Sequence, residues 1–297
     1  QTPCDGTTVT LDAGAGYEYL WSTGATSQTI DLTANTETVW ARIIDANKCI
    51  NYDTVVVAFT YPYPEQIGVA TFSETTDHII LAWEKTAGVN TVSYAIERET
   101  GVTGNWEQVG DDVMFSEAGI VVDEDVNYKE TAFKYRLVTT DACGNKAYSE
   151  PHRSMVSSTM WQTNGLQTIH WTAYKPFANV TQYKILRGYE ATQMDTVIDI
   201  PASDDEYFIW NETDPQYTDD KNVKYRVVFR LKSDVNENAV NTLEGQPVEG
   251  YYTKAESGPF SLAMSNIAEV ESDVSVSEIA FPADVIVYPT TVSSYIN

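Results

Sequence analysis

The chain has 297 residues, more than one ordinary core needs and enough for two or three domains of the usual ~100–200 residues each. Its 18 Lys and Arg stand against 43 Asp and Glu, a formal net charge of −25 that repels phosphate backbones and anionic lipid, so neither nucleic acid nor a membrane surface is an expected partner. No apolar run reaches the ~18 residues a membrane span requires. With 19 Tyr, aromatics at 12% and no long stretch of 3.6-residue apolar period, the composition predicts an all-β chain.

Residues 1–61 form a first unit with strand-like Val9-Thr10-Leu11-Asp12, then Tyr19-Leu20-Trp21-Ser22-Thr23-Gly24, then Asp45-Ala46-Asn47-Lys48-Cys49. Tyr61-Pro62-Tyr63-Pro64 follows as a stiff linker, because two prolines in three residues keep the preceding strand from running on. An internal repeat comes next. Trp83 and Trp171 are 88 residues apart, Tyr94 and Tyr183 are 89 apart, and Tyr135 and Tyr225 are 90 apart. The segments around them, Ser93-Tyr94-Ala95-Ile96-Glu97-Arg98 among them, alternate apolar and polar residues as strands do with one face in a core. Turn signals such as Gly88-Val89-Asn90 and Cys143-Gly144-Asn145 divide each copy into about seven short strands, the pattern of a β-sandwich. The copies occupy residues 62–153 and 154–265, the second with a longer stretch, Ser233 to Lys254, before its last strand. We expect that stretch to make a special contact. Residues 266–280 are acidic and of simple composition and read as a linker; residues 281–297 end the chain.

A Trp on the second strand, a Tyr on the third and Lys-Tyr-Arg on the sixth resemble fibronectin type III modules. That resemblance implies that Trp83, Tyr94 and Tyr135, and Trp171, Tyr183 and Tyr225, pack between two sheets. The Trp-Ser-Thr-Gly and Asp-Ala-Asn-x-Cys elements of the first unit are similar to small immunoglobulin-like domains of Bacteroidota surface and gliding-motility proteins, and a bridge from first to last strand there would join Cys4 with Cys49. Cys143 is then left as a free thiol or as the partner of a segment outside this sequence. Tyr288-Pro289 and the residues after it resemble the opening of the carboxy-terminal sorting domain of type IX secretion cargo. This implies export through the type IX machinery of the outer membrane to the surface of a Gram-negative bacterium.

The residues offer little for catalysis. His78, His152 and His170 fall on strands or a linker, and no nucleophile elbow, zinc-protease helix motif or phosphate loop occurs. Acidic doublets such as Asp111-Asp112 and Asp219-Asp220 point to opposite faces of a strand and do not converge on a substrate. No enzyme and no cofactor is therefore expected, with Ca²⁺ as the exception to consider and Asp123, Glu124 and Asp125 as its candidate site. Aromatic residues outside the repeat's core positions, Trp106, Trp210, Tyr251 and Tyr252 foremost, form the candidate ligand face, since aromatic rings stack on sugars. The reading that follows is a structural or adhesive surface protein whose partner is a surface glycan or another surface protein. Carbohydrate-binding modules and the accessory tail of a larger secreted enzyme are the alternatives.

Overall fold

A computed structural model describes residues 3–4, 6–33, 38–73, 78–161, 166–176, 180–218, 220–245 and 259–269. Strands and turns account for the described elements, and none of them is a helix.

In the first unit, β1 (Val9–Asp12) pairs antiparallel with β3 (Thr29–Leu32), while β2 (Glu18–Trp21), β4 (Val39–Ile44) and β5 (Ile50–Val55) form a second antiparallel sheet in the order β2-β4-β5. Between them lie Trp21, Ile30, Leu32, Val39, Ala41, Val57 and Phe59, a small core. The Trp21 indole donates to the Ser27 carbonyl at 2.8 Å, so the Ser-Thr-Gly turn folds back over its own tryptophan, with Gly24 at φ +85° to make the bend. Asp45 accepts the backbone N–H groups of Asn47 and Cys49, each at 2.8 Å, and closes the β4–β5 hairpin.

That closure corrects the expected disulfide. Cys49 sits at the closed tip of the hairpin, next to the Ile44–Ile50 pair, and is a free, exposed thiol. Cys4 instead bridges Thr60, which follows the Val39–Val55 open end, and a six-residue strand separates the two ends by ~20 Å. Cys4 bonds Cys143 of the first repeat, 139 residues away, with a Cα–Cα distance of 5.7 Å. Asp141 presents that cysteine by accepting the N–H groups of Cys143 and Asn145 within the turn.

The first repeat comprises β6 (Val69–Phe72), β7 (Ile79–Ala82), β8 (Lys85–Thr86), β9 (Thr91–Glu99), β10 (Trp106–Met114), β11 (Ile120–Asp123), β12 (Lys134–Asp141), β13 (Lys146–Tyr148) and β14 (His152–Arg153). One sheet runs β11-β7-β6 and the other β10-β9-β12-β13, with β14 also on β12. The second repeat has β15 (Ser157–Trp161), β16 (Gln167–Thr172), β17 (Gln182–Glu190), β18 (Gln193–Pro201), β19 (Tyr207–Asn211), β20 (Lys224–Val235), β21 (Val240–Asn241), β22 (Phe260–Met264) and β23 (Ala268–Glu269). Its sheets run β15-β16-β19 and β18-β17-β20-β22, with β23 on β20. Asn266 is buried and bonds Ser157 through both its side-chain oxygen and its amide. Residues 266–269 thus belong to this repeat and not to the acidic linker expected from Asn266 onward.

Trp83 is fully buried with its ring 5.5 Å from Tyr94, and Trp171 lies 5.9 Å from Tyr183 and stacks on Phe208 at 5.3 Å. Gly119 is glycine because any Cβ there would come 2.4 Å from the Trp83 carbonyl oxygen.

The two repeats fold against each other and share one buried cluster. The stretch after β20 does much of this. β21 pairs in parallel with β8 of the first repeat, Lys85 N–H donates to Ala239 O at 3.0 Å, Ala87 N–H to Asn241 O at 2.8 Å, and Gly119 N–H to Glu237 O at 2.6 Å. Glu84 accepts the Asn236 N–H and the Asn241 side-chain amide. Val235 packs on Gly68, where a Cβ would lie 2.6 Å from it. On the other side of the joint, Tyr174 hydroxyl accepts the Ala70 N–H at 3.0 Å and lies 3.1 Å from Nδ1 of His152. Burial drops the His152 pKa to about 4, so the imidazole at this joint is neutral.

Glu65 marks the joint between the first unit and the repeats. It is only 6% exposed, accepts the Thr86 N–H and hydroxyl, and burial, aided by the nearby Glu84 carboxylate, pushes its pKa up to about 7. An acid whose folded pKa lies above its unfolded value binds extra protons when folded, so its contribution is complete below about pH 4.5 and is lost as pH rises to about 7. Glu65→Gln is therefore expected to raise stability at pH 8 by roughly 1–3 kcal/mol and to change little at pH 4.5. Urea midpoints at the two pH values check it; an equal shift at both would show that the carboxyl is not the titrating group.

Candidate binding face

Alternation along the β10-β9-β12-β13 sheet sends Tyr94, Ile96, Tyr135 and Leu137 into the core and Glu97, Arg136, Trp106 and Tyr148 outward. The outward four form a ladder. Arg136 lies between two rings, its guanidinium carbon 4.4 Å from the Trp106 centroid and 4.3 Å from that of Tyr148. Glu97 on the facing strand accepts from the Arg136 Nε at 2.7 Å and pairs with its Nη2 at 2.5 Å, which holds the guanidinium in place between the rings. Each such contact is worth ~0.5–1 kcal/mol where solvent reaches it. Tyr148 is 47% exposed, so the ladder ends in an open aromatic surface.

Among the described residues the second repeat carries no such face. Arg226, the counterpart of Arg136, is 2% exposed, its pKa is pushed down to about 10 by burial, and its guanidinium carbon lies 5.7 Å from the ring of Phe72 in the first repeat. The inter-repeat joint covers there what the first repeat leaves open.

Of the other expected ligand residues, Trp210 is half-buried on β19 with its ring 6.3 Å from Tyr225, packed on the core, so it does not share a surface with Trp106. Tyr251, Tyr252, Tyr288 and Pro289 lie outside the described residues.

The candidate calcium site does not assemble. Asp123 is fully buried; both of its oxygens accept from Arg98 Nη1 at 2.6 Å, and one also accepts the Tyr135 hydroxyl at 2.8 Å. Its carboxylate is committed to the core, while Glu124 and Asp125 are both exposed beside it. Among the described residues no group of His, Cys, Asp and Glu is placed to hold a metal. The second repeat builds the same triad from Arg187, Glu212 and Tyr225, with contacts of 2.8 and 3.0 Å. Arg98 and Arg187 are 89 apart, as are Asp123 and Glu212, so the acid is a further landmark of the repeat that its setting in an acidic run conceals. In both repeats burial and then the adjacent carboxylate raise the tyrosine pKa. The three histidines are structural: His152 serves the joint, His170 bonds Thr168, and His78 stacks edge-on to Tyr128.

A buried Trp beside a buried Tyr, a second Tyr on the facing strand, and two sheets in these strand orders settle the architecture. The repeats are fibronectin type III-like sandwiches. No family model matches the sequence, and no curated protein does. Among solved structures the chain is similar to the FN1–FN3 domains of chicken CNTN1, at 14% identity over 78% of this chain and 90% of that one, with a TM-score of 0.25. It is also similar to the chicken interferon gamma receptor alpha chain, at 11% identity over 56% of this chain and 88% of that one, with a TM-score of 0.24.

Proposed function

We propose that this chain is a non-catalytic, modular surface protein that acts as a stiff support for a binding face, is exported by type IX secretion and works outside a Gram-negative cell. The observation that carries this reading is the locking of the modules. One disulfide ties the first unit to the first repeat, and a parallel strand pair with a shared core ties the two repeats. A support that must hold a contact at a distance gains from such joints, since a flexible array loses reach and orientation. The disulfide favours an oxidising compartment, in line with delivery outside the cytoplasm. Among the described residues no helix is long and apolar enough to cross a membrane.

Delivery is testable apart from adhesion. A reporter fused to the carboxy-terminal segment from residue 266 onward is expected to reach the medium or surface only in a strain with the type IX machinery, and Tyr288→Ala with Pro289→Ala to reduce it. Equal export from a strain lacking that machinery removes the secretion part of the proposal.

Binding of a surface glycan at the Trp106–Arg136–Tyr148 ladder is the second reading. It is favoured by the exposed Tyr148 ring at the ladder's end and by the polar Glu97 and Arg136 groups beside it, a mix that suits the alternating apolar faces and hydroxyls of a sugar.

A further inference from the structure

Among the described residues β5 is the free edge of the β2-β4-β5 sheet, and all six of its residues are exposed. A free edge presents a row of unpaired N–H and C=O groups that templates another strand, which proteins prevent with charges, prolines, bulges or very short strands. Among the described residues the two longer edge strands are protected in that way: β10 has a register break across Gly110-Asp111-Asp112, and β18 has two breaks together with Asp195 and Asp199. β5 keeps unbroken register with β4 over its whole length and carries no proline, no Lys or Arg, and one acid, Asp53. On one of its faces Ile50 and Tyr52 are 53% and 60% exposed, next to Ile44, Arg42 and Trp40 of β4, with the Trp40 ring 6.3 Å from Tyr52.

We propose that β5 pairs antiparallel with β5 of a second copy of this chain about a two-fold axis at Tyr52. A two-fold axis perpendicular to the sheet keeps each face on its own side, so a residue must meet its own mate. Centring on Asp53 would set carboxylate against carboxylate. Centring on Tyr52 sets each Asp53 against the amide of the mate's Asn51 and each Ile50 against the mate's Thr54, so no like charges oppose each other despite the net charge of −25. The joined sheet then runs β2-β4-β5-β5-β4-β2. Across its middle passes a row of Arg42, Tyr52, Tyr52 and Arg42, the same alternation of cation and ring that the first repeat builds with Arg136. Strand addition of this kind draws its affinity from main-chain hydrogen bonds and its specificity from the alternate side chains.

The test is sedimentation velocity of the full 297-residue chain in a Cys49→Ser background, so that no intermolecular disulfide contributes. A concentration-dependent dimer is expected. Tyr52→Lys and Tyr52→Glu each bring like charges together and are each expected to weaken it at least about tenfold, while an equimolar mixture of the two restores it. Circular dichroism and an intact Cys4–Cys143 bond confirm that the variants fold. A wild-type chain that stays monomeric at its highest soluble concentration, a dimer indifferent to both variants, or a mixture that fails to associate overturns the proposal. The first of these would leave the edge to a strand from a different protein.

Discussion

Replacing Cys143 with serine is expected to split the thermal unfolding of the protein into two transitions, an early one for residues 1–61 and a later one for the repeats. The early unit has a small core of Trp21, Ile30, Leu32, Val39, Ala41, Val57 and Phe59, too little apolar burial for a module of its size to be secure alone. Closing a loop across 139 residues removes about 5 kcal/mol of chain entropy from the unfolded state on the simple polymer argument, and native strain reduces the realised gain. Since 1 kcal/mol moves the midpoint of a domain of 60–100 residues by roughly 4–8 °C, the early transition should fall by ten degrees or more. Scanning calorimetry reads this directly, and limited proteolysis should cut near Tyr61–Pro64 in the variant before the wild type. Cys49→Ser is the control and should leave both transitions in place, because that thiol is exposed and unbonded. If instead Cys49→Ser lowers the early transition and Cys143→Ser leaves it in place, the bridge joins Cys4 with Cys49 within the first unit after all.

The contrast between those two cysteines shows where sequence reading reaches its limit. Tyr94 and Tyr135, with their counterparts 89 and 90 residues on, are legible because each lies on a strand with apolar residues at every second place, while Trp83, just past the fully buried Ile79–Ala82 strand, is marked by its repeat at Trp171. Cys143 is different: its partner is fixed by where one module rests on another, and no periodicity records that. The same holds for the stretch after β20. Its length marks it as unusual, but its docking on β8 depends on Val235 meeting a glycine at position 68 and on Glu84 lying where Asn236 and Asn241 arrive. Arg136 and Arg226 make the point most sharply, since they hold equivalent places in the repeat, one in an open ladder and the other sealed against Phe72. Trp106 could be read as a surface aromatic, but its partnership with Arg136 and Tyr148 spans β10, β12 and β13 and required the strand order.

Asp123 is where sequence and structure disagree most about chemistry, and a substitution there separates the two readings. As a calcium ligand, Asp123→Ala would abolish an ion site and leave the apo fold largely intact. As the structure has it, the change strands the Arg98 guanidinium, whose side chain is 13% exposed, and removes the acceptor of the buried Tyr135 hydroxyl. Removing one partner of a buried pair leaves an uncompensated charge and typically costs about 3–5 kcal/mol, more than the pair itself contributes over an apolar substitute. Part of that loss is spared here because Arg98 also pairs with Glu107 at 2.6 Å, in a partly exposed position where it can still be solvated. Glu212→Ala should behave alike in the second repeat, where Arg187 keeps Asp214 at 3.4 Å as its remaining partner. Because the repeats share one core, either substitution is expected to lower the urea midpoint of both together, followed by tryptophan fluorescence. Glu124→Gln and Asp125→Asn should stay within about 0.5 kcal/mol of the wild type, and added calcium should rescue none of the four. A rescue of Asp123→Ala by the arginine's removal, Arg98→Leu in the same chain, would locate the cost in the stranded charge: with both charges gone only the Tyr135 hydroxyl is left without its acceptor, and the double variant should be more stable than Asp123→Ala alone.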